Sequence, residues 1–264
     1  MSEILQTHAL TCGYSGPPIL QDITFDLHAG EFLGVIGPNG CGKSTLIRAL
    51  TGILSPESGT VELNGQDIAN LSSKEIARTL AVIPQDTTVH FDFTVLEMAL
   101  MGRTPHLSRL QRAGQSDYEC ALEALRRTDL LPLKDRPVTE LSGGERQRAI
   151  IARALAQKPE ILLLDEPDSH LDIGHQIEIF DLLCELNQTQ NLTLLCVSHD
   201  LNLAATYCQR LLLMEKGRVV ADGRPETVLT SDRISSLYRV DAAVYPNPVT
   251  GTLQVTPYSN KTVR

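Results

Sequence analysis

Apolar and polar residues alternate in short runs over the first part of the chain, which predicts strands at residues 7–14, 23–28 and 31–36. Asn64-Gly65, set between apolar segments, reads as a hairpin turn. The runs AVIP (81–84), ILLLD (161–165) and TLLCVS (193–198) are apolar throughout, as strands covered on both faces of a parallel sheet are. Between the first two of these, helical spacing takes over at 94–101 and 115–130. After His199 the pattern predicts a helix, a strand pair around Glu215-Lys216-Gly217, and helical pieces near 225–238. The alternation fits an α/β domain whose sheet-forming parts are 1–85 and 161–264, with a helical subdomain inserted at 86–160.

Composition narrows the classes. With 264 residues, 42% hydrophobic and 21% charged, the chain can bury a full core, which excludes wholesale disorder. A net charge of -9 repels a phosphate backbone, so no nucleic-acid partner is expected and any polyanion must be met at a local site. The six cysteines show no CxxC spacing, as in a protein of a reducing compartment. No apolar run approaches ~18 residues and MSEILQTHAL lacks the pattern of an export signal, so neither a membrane span nor export is expected.

Gly37-Pro38-Asn39-Gly40-Cys41-Gly42-Lys43-Ser44-Thr45 fits the phosphate-loop pattern GxxxxGK[ST], follows the apolar run FLGVI and leads into STLIRALTGI, which reads as a helix. The glycines let backbone N–H groups converge on a phosphate, Lys43 reaches its outer oxygens, and Ser44 offers a hydroxyl to Mg²⁺. Asp165 and Glu166 end the apolar run ILLLD. There Asp165 can hold the Mg²⁺ shell and Glu166 can polarise a water, which suits hydrolysis better than transfer to a hydroxyl. Leu141-Ser142-Gly143-Gly144-Glu145 opens a helix as a second phosphate-binding N-terminus, with Ser142 and Glu145 as a capping box. His170 and His175 flank Asp172, but their five-residue spacing turns them away from one helix face, so no metal site is expected there.

Taken in order, these segments resemble the ATPase subunit of ATP-binding cassette (ABC) transporters over nearly the whole chain. The resemblance implies a phosphate-loop NTPase core with an N-terminal antiparallel β-subdomain and an inserted helical subdomain. It makes Tyr14 the aromatic that stacks on adenine, Gln85 the glutamine joining core to insertion and contributing to the Mg²⁺ site, and His199 the switch histidine. It also implies a head-to-tail dimer, in which Ser142, Gly143, Gly144 and Glu145 cover the nucleotide of the other copy and Asp172 lies in the loop at the interface. The implied partners are transmembrane permease subunits and, indirectly, a solute-binding protein. The implied location is peripheral, on the cytoplasmic face of the plasma membrane.

Within the family, MGRTPH (101–106), SHLDIGHQ (169–176) and HDLN (199–202) resemble the importers of iron chelates, haem and vitamin B12. Iron-siderophore complexes rank first as cargo, haem and vitamin B12 next, and a soluble ATPase of iron-sulfur assembly is the remaining reading. Two positions depart from the family pattern. Glu145 replaces the commoner Gln, and Asp168 replaces a small polar residue, which crowds three carboxylates and favours a proton on one of them. Two further expectations concern single residues. Cys41, at a helix N-terminus two residues from Lys43, is expected to be the most reactive cysteine. Phe93, Val95, Met98 and Arg103 are expected to form a surface for the permease, three apolar and one charged.

Overall fold

The computed structural model describes residues 2–86, 92–108, 111–169 and 171–259, and these divide into two compact units, 1–69 with 195–264, and 70–194. The first unit opens with β1 (Glu3–Cys12), β2 (Leu20–His28), β3 (Phe32–Ile36), α1 (Lys43–Leu50), β4 (Ser58–Leu63) and β5 (Gln66–Asp67). An antiparallel sheet runs in the order β2-β1-β4-β5. Its inward side chains, among them Leu5, Leu10, Leu27 and Val61, are fully buried. Asn64 and Gly65 make the expected turn between β4 and β5, both with positive φ (50° and 73°), as a two-residue hairpin requires.

The second unit contains α2 (Ser73–Thr79), β6 (Leu80–Ile83), α3 (Val95–Met101), α4 (Gln115–Arg127), α5 (Gly143–Ala156), β7 (Ile161–Asp165) and α6 (Ile173–Gln190). β6 and β7 pair in parallel, Leu80 opposite Ile161 through Ile83 opposite Leu164. Helices α3 and α4 pack against α5, which also lies on β6. Within this compact unit the strand pair is packed with the helices. Capping boxes start α2, α3 and α5, at Ser72/Glu75, Thr94/Glu97 and Ser142/Glu145. In each the hydroxyl accepts an orphan helix N–H and the carboxylate accepts the cap's own N–H; at Glu75 the hydrogen bond from the Ser72 hydroxyl contributes most, at Glu97 and Glu145 the one from the cap N–H does, and all three carboxyls lie below their ordinary pKa.

β8 (Thr193–Val197) crosses the division, and the first unit resumes with α7 (Leu201–Tyr207), β9 (Arg210–Glu215), β10 (Arg218–Gly223), α8 (Pro225–Val228), α9 (Ser231–Tyr238), β11 (Asp241–Pro246) and β12 (Leu253–Tyr258). β3 pairs in parallel with β9, and β9 in antiparallel with β10 through the turn at Lys216-Gly217. The β11–β12 hairpin has no counterpart in the sequence reading, because prolines and polar residues interrupt its alternation. Asn202 on α7 holds it, donating to the Val255 carbonyl (3.3 Å) and accepting from the Val255 N–H (2.7 Å). Among the described residues, no helix is long and apolar enough to cross a membrane.

Candidate functional site

In the first unit, β3 is buried at every position and ends where the phosphate loop begins. Gly37, Gly40 and Gly42 all have positive φ, and at Gly42, which starts α1 with φ 108°, a Cβ would stand 2.7 Å from Leu20 Cδ2. Only glycine fits this turn between buried strand and helix. Lys43 is buried and folds back onto its own loop, donating from Nζ to the carbonyls of Gly37 (2.7 Å) and Pro38 (3.3 Å). Asn39, Gly40 and Ser44 are exposed, Pro38 half-buried, and Thr45 buried. The loop thus exposes Asn39, Gly40 and Ser44 and holds an ammonium against its own carbonyls, residue types suited to meeting a phosphate chain.

Cys41 departs from expectation. Its side chain is 4% exposed, and burial pushes its thiol up, outweighing the opposing effects of the Lys43 charge and of backbone hydrogen bonds. Burial therefore opposes at this position the thiolate that the helix N-terminus and Lys43 favour. Tyr14 lies in the loop between β1 and β2, 48% exposed, and accepts a hydrogen bond at its hydroxyl from Arg48 Nη1 (2.7 Å). His199 is exposed just beyond β8. The preceding Ser198 is buried and donates its N–H to the Val35 carbonyl of β3 (3.1 Å), which brings this segment alongside the strand that feeds the phosphate loop.

In the second unit, Asp165 closes β7 and Glu166 follows with φ 52°, a left-handed conformation uncommon for a residue with a side chain. Gln85, just after β6, donates from Nε2 to Glu166 Oε2 at 2.6 Å, so the parallel strand pair brings together two residues 81 positions apart. Asp165 and Glu166 are half-buried, whereas Asp168 is 1% exposed. Of the oxygen donors suggested for Mg²⁺, Ser44 belongs to the first unit, and Asp165 and Gln85 to the second. A hydroxyl, a carboxylate and an amide oxygen are the hard ligands this cation takes, so the donor chemistry fits.

Ser142 caps α5, accepting from the Glu145 N–H (3.3 Å), while Glu145 accepts from the Ser142 N–H (2.8 Å). Ser142 and Gly143 are exposed and Gly144 is buried. A Cβ on Gly144 would lie 2.2 Å from Cδ2 of His175. The imidazole is held in that place by Asp172, the N-cap of α6, which accepts from the His175 N–H (2.9 Å) and contacts Nδ1 at 2.9 Å. These bonds keep the Asp172 carboxyl below the usual range, the backbone N–H contributing most. His175 thus joins the Asp172 loop to the glycine helix start, a role its spacing from other histidines did not disclose. His170 lies outside the described residues.

The surface expected from Phe93, Val95, Met98 and Arg103 does not form. Val95, Met98 and Arg103 are buried, and of the four only Phe93 is exposed. Arg103 donates from Nε to Asp117 Oδ1 (3.0 Å) and from Nη1 to the Ala156 carbonyl (2.7 Å), so its charge is spent inside the unit, tying α4 to the end of α5. Asp117 also accepts the Gly114 N–H, and this bond, more than the guanidinium, holds its carboxyl below the ordinary range.

Residues 20–169 match the ABC transporter family. The chain is 41% identical over 253 residues to the ferric enterobactin transport ATP-binding protein FepC of Escherichia coli, covering 96% of this chain and 93% of that one. It is 42% identical over 258 residues to the cobalamin import ATP-binding protein BtuD of Halobacterium salinarum, covering 98% of this chain and 64% of that one. Among solved structures, an inward-facing conformation of a protein described as a metal-chelate type ABC transporter matches with a TM-score of 0.87 and 32% identity, covering 99% of each chain.

Proposed function

The chain belongs to the ATP-binding family of ABC transporters, and from that premise we propose that it is the ATP-hydrolysing subunit of an importer for iron-siderophore complexes. Haem and vitamin B12 are the alternative cargoes, the latter favoured by the likeness to a cobalamin import protein. The observation that carries the hydrolytic reading is the pairing of Gln85 with Glu166 at 2.6 Å beside Asp165 at the end of a buried strand. That hydrogen bond aims a carboxylate which can take a proton from water as it attacks the γ phosphate.

The remaining roles follow from position. Tyr14 stacks on the base, backbone N–H groups within the Gly37–Thr45 loop and the Lys43 ammonium hold the phosphates, with Pro38 offering no N–H, and His199 meets the terminal phosphate. Ser44, Asp165 and the Gln85 oxygen would hold Mg²⁺, which when bound offsets phosphate charge. Ser142, Gly143 and Gly144 cover the nucleotide of a second copy, oriented by the Glu145 capping box and with Asp172 at the interface. Work passes to transmembrane permease subunits from the cytoplasmic face of the membrane, and a solute-binding protein delivers cargo to them. The test is uptake of a labelled ferric siderophore by cells whose only copy of this ATPase carries Glu166→Gln. Uptake should stop although the protein accumulates normally. Normal siderophore uptake together with loss of labelled haem or cobalamin uptake would transfer the assignment to that cargo.

A further inference from the structure

The same short helix that opens on the phosphate loop also carries the group that fixes Tyr14. α1 starts at Lys43, and Arg48 stands in its last turn, about 7.5 Å further along the axis. Its guanidinium donates to the Tyr14 hydroxyl at 2.7 Å, and its central carbon lies 5.8 Å from the ring centroid, within cation–π range. Tyr14 sits in an irregular loop, GYSGPP, where neither backbone ladder nor helix sets the direction of its side chain. With Arg48 holding the hydroxyl end, the ring stays 48% exposed in a defined place relative to Lys43.

We infer that Arg48 is a positioning residue for nucleotide binding: it holds Tyr14 as the platform for the base, and α1 sets the distance between that platform and the phosphate cradle. This rests on the reading of Tyr14 as the base-stacking aromatic. The competing role is structural, because a cation in the last turn also favours the helix dipole. A dipole effect would act on the helix and its phosphate loop for any ligand; a platform effect would act only on ligands that carry a base. Arg48 is exposed, so its replacement leaves no buried group unpaired.

The experiment measures dissociation constants for ATP and for inorganic tripolyphosphate, with steady-state ATPase rates, in the parent, Arg48→Ala, Arg48→Lys, Tyr14→Ala and the Arg48→Ala/Tyr14→Ala pair. Arg48→Ala should weaken ATP roughly fivefold, the size of one exposed cation–π and hydrogen-bond contact, and raise KM with kcat unchanged. Tripolyphosphate affinity should not move. Lysine, which keeps the charge without the planar fork, should restore part of the loss. In the Tyr14→Ala background, Arg48→Ala should have no further effect. Equal weakening of ATP and tripolyphosphate, or undiminished weakening without Tyr14, would overturn the inference. If Tyr14→Ala itself left ATP affinity intact, the platform reading and the role of Arg48 would both fall, while parental ATP hydrolysis would leave the ATPase assignment standing.

Discussion

The contact between Gly144 and His175 gives a prediction whose sign reverses with one neighbour. Gly144 lies in α5 without positive φ, so on backbone grounds Gly144→Ala should stabilise the helix by up to about 1 kcal/mol. The added Cβ would stand 2.2 Å from Cδ2 and 2.9 Å from Nε2 of His175, closer than real atoms approach. The ring cannot retreat without leaving Asp172, and overpacking of this kind costs about 1–3 kcal/mol. The net expectation is a loss of about 1 kcal/mol, or about 2–4 °C in Tm for a chain of this size. In a His175→Ala background the clash is gone, and the same Gly144→Ala change should raise Tm. Scanning calorimetry on the four proteins completes the cycle, and a carboxyl-carbon NMR titration adds a local readout. As the ring is displaced, Asp172 should lose part of what holds its carboxyl low, and its pKa should move up. If Gly144→Ala stabilised the protein equally with and without His175, the close contact would carry no energy and the proposed tie between the Asp172 loop and α5 would be refuted.

Arg103→Met should destabilise the chain by about 3–5 kcal/mol in urea unfolding, because it strands the buried Asp117 carboxylate, and Arg103→Met/Asp117→Leu should recover most of that loss. Cys41 should resist alkylation in the native protein while the partly exposed Cys120 reacts; rapid Cys41 labelling blocked by nucleotide would restore the thiolate reading. Glu75, Glu97 and Glu145 have folded-state pKa values below the unfolded ones, so the stability they contribute is complete above the unfolded value of about 4.5 and is lost as pH falls through the folded values. Replacing all three by Gln should flatten the acid limb of a Tm-against-pH profile, and an unchanged limb would show that the caps do not set it.

The parts of the site legible in the sequence are those whose chemistry is local. The phosphate loop needs glycines at left-handed positions immediately before a helix, and the capping box at Ser142 needs a carboxylate three residues on; both appear as contiguous text. Asp165 and Glu166 were visible because four buried apolar residues precede them. What escaped depends on partners distant in sequence. Arg103 looks like a surface cation until Asp117, 14 residues on, and the Ala156 carbonyl are found around it. Arg48 meets Tyr14 across 34 residues, and His175 meets Gly144 across 31, with no periodicity linking either pair. The α2 helix carries a single buried apolar residue, Ile76, so hydrophobic spacing could not reveal it, although Ser72 and Glu75 spell its capping box. At Cys41 two effects oppose each other: the helix terminus and Lys43 favour a thiolate, and burial, which a sequence does not display, outweighs them.

In the proposed mechanism Glu166, aimed by Gln85, polarises the water while other groups hold the nucleotide. The most direct measurement is made on purified Glu166→Gln: ATP affinity, phosphate release, and sedimentation with and without MgATP. ATP should bind as in the parent, phosphate release should fall by at least about 100-fold, the lower end of what general base catalysis contributes, and a dimer should accumulate with MgATP. Phosphate release within a few-fold of the parent rate would contradict this mechanism and move the catalytic base elsewhere.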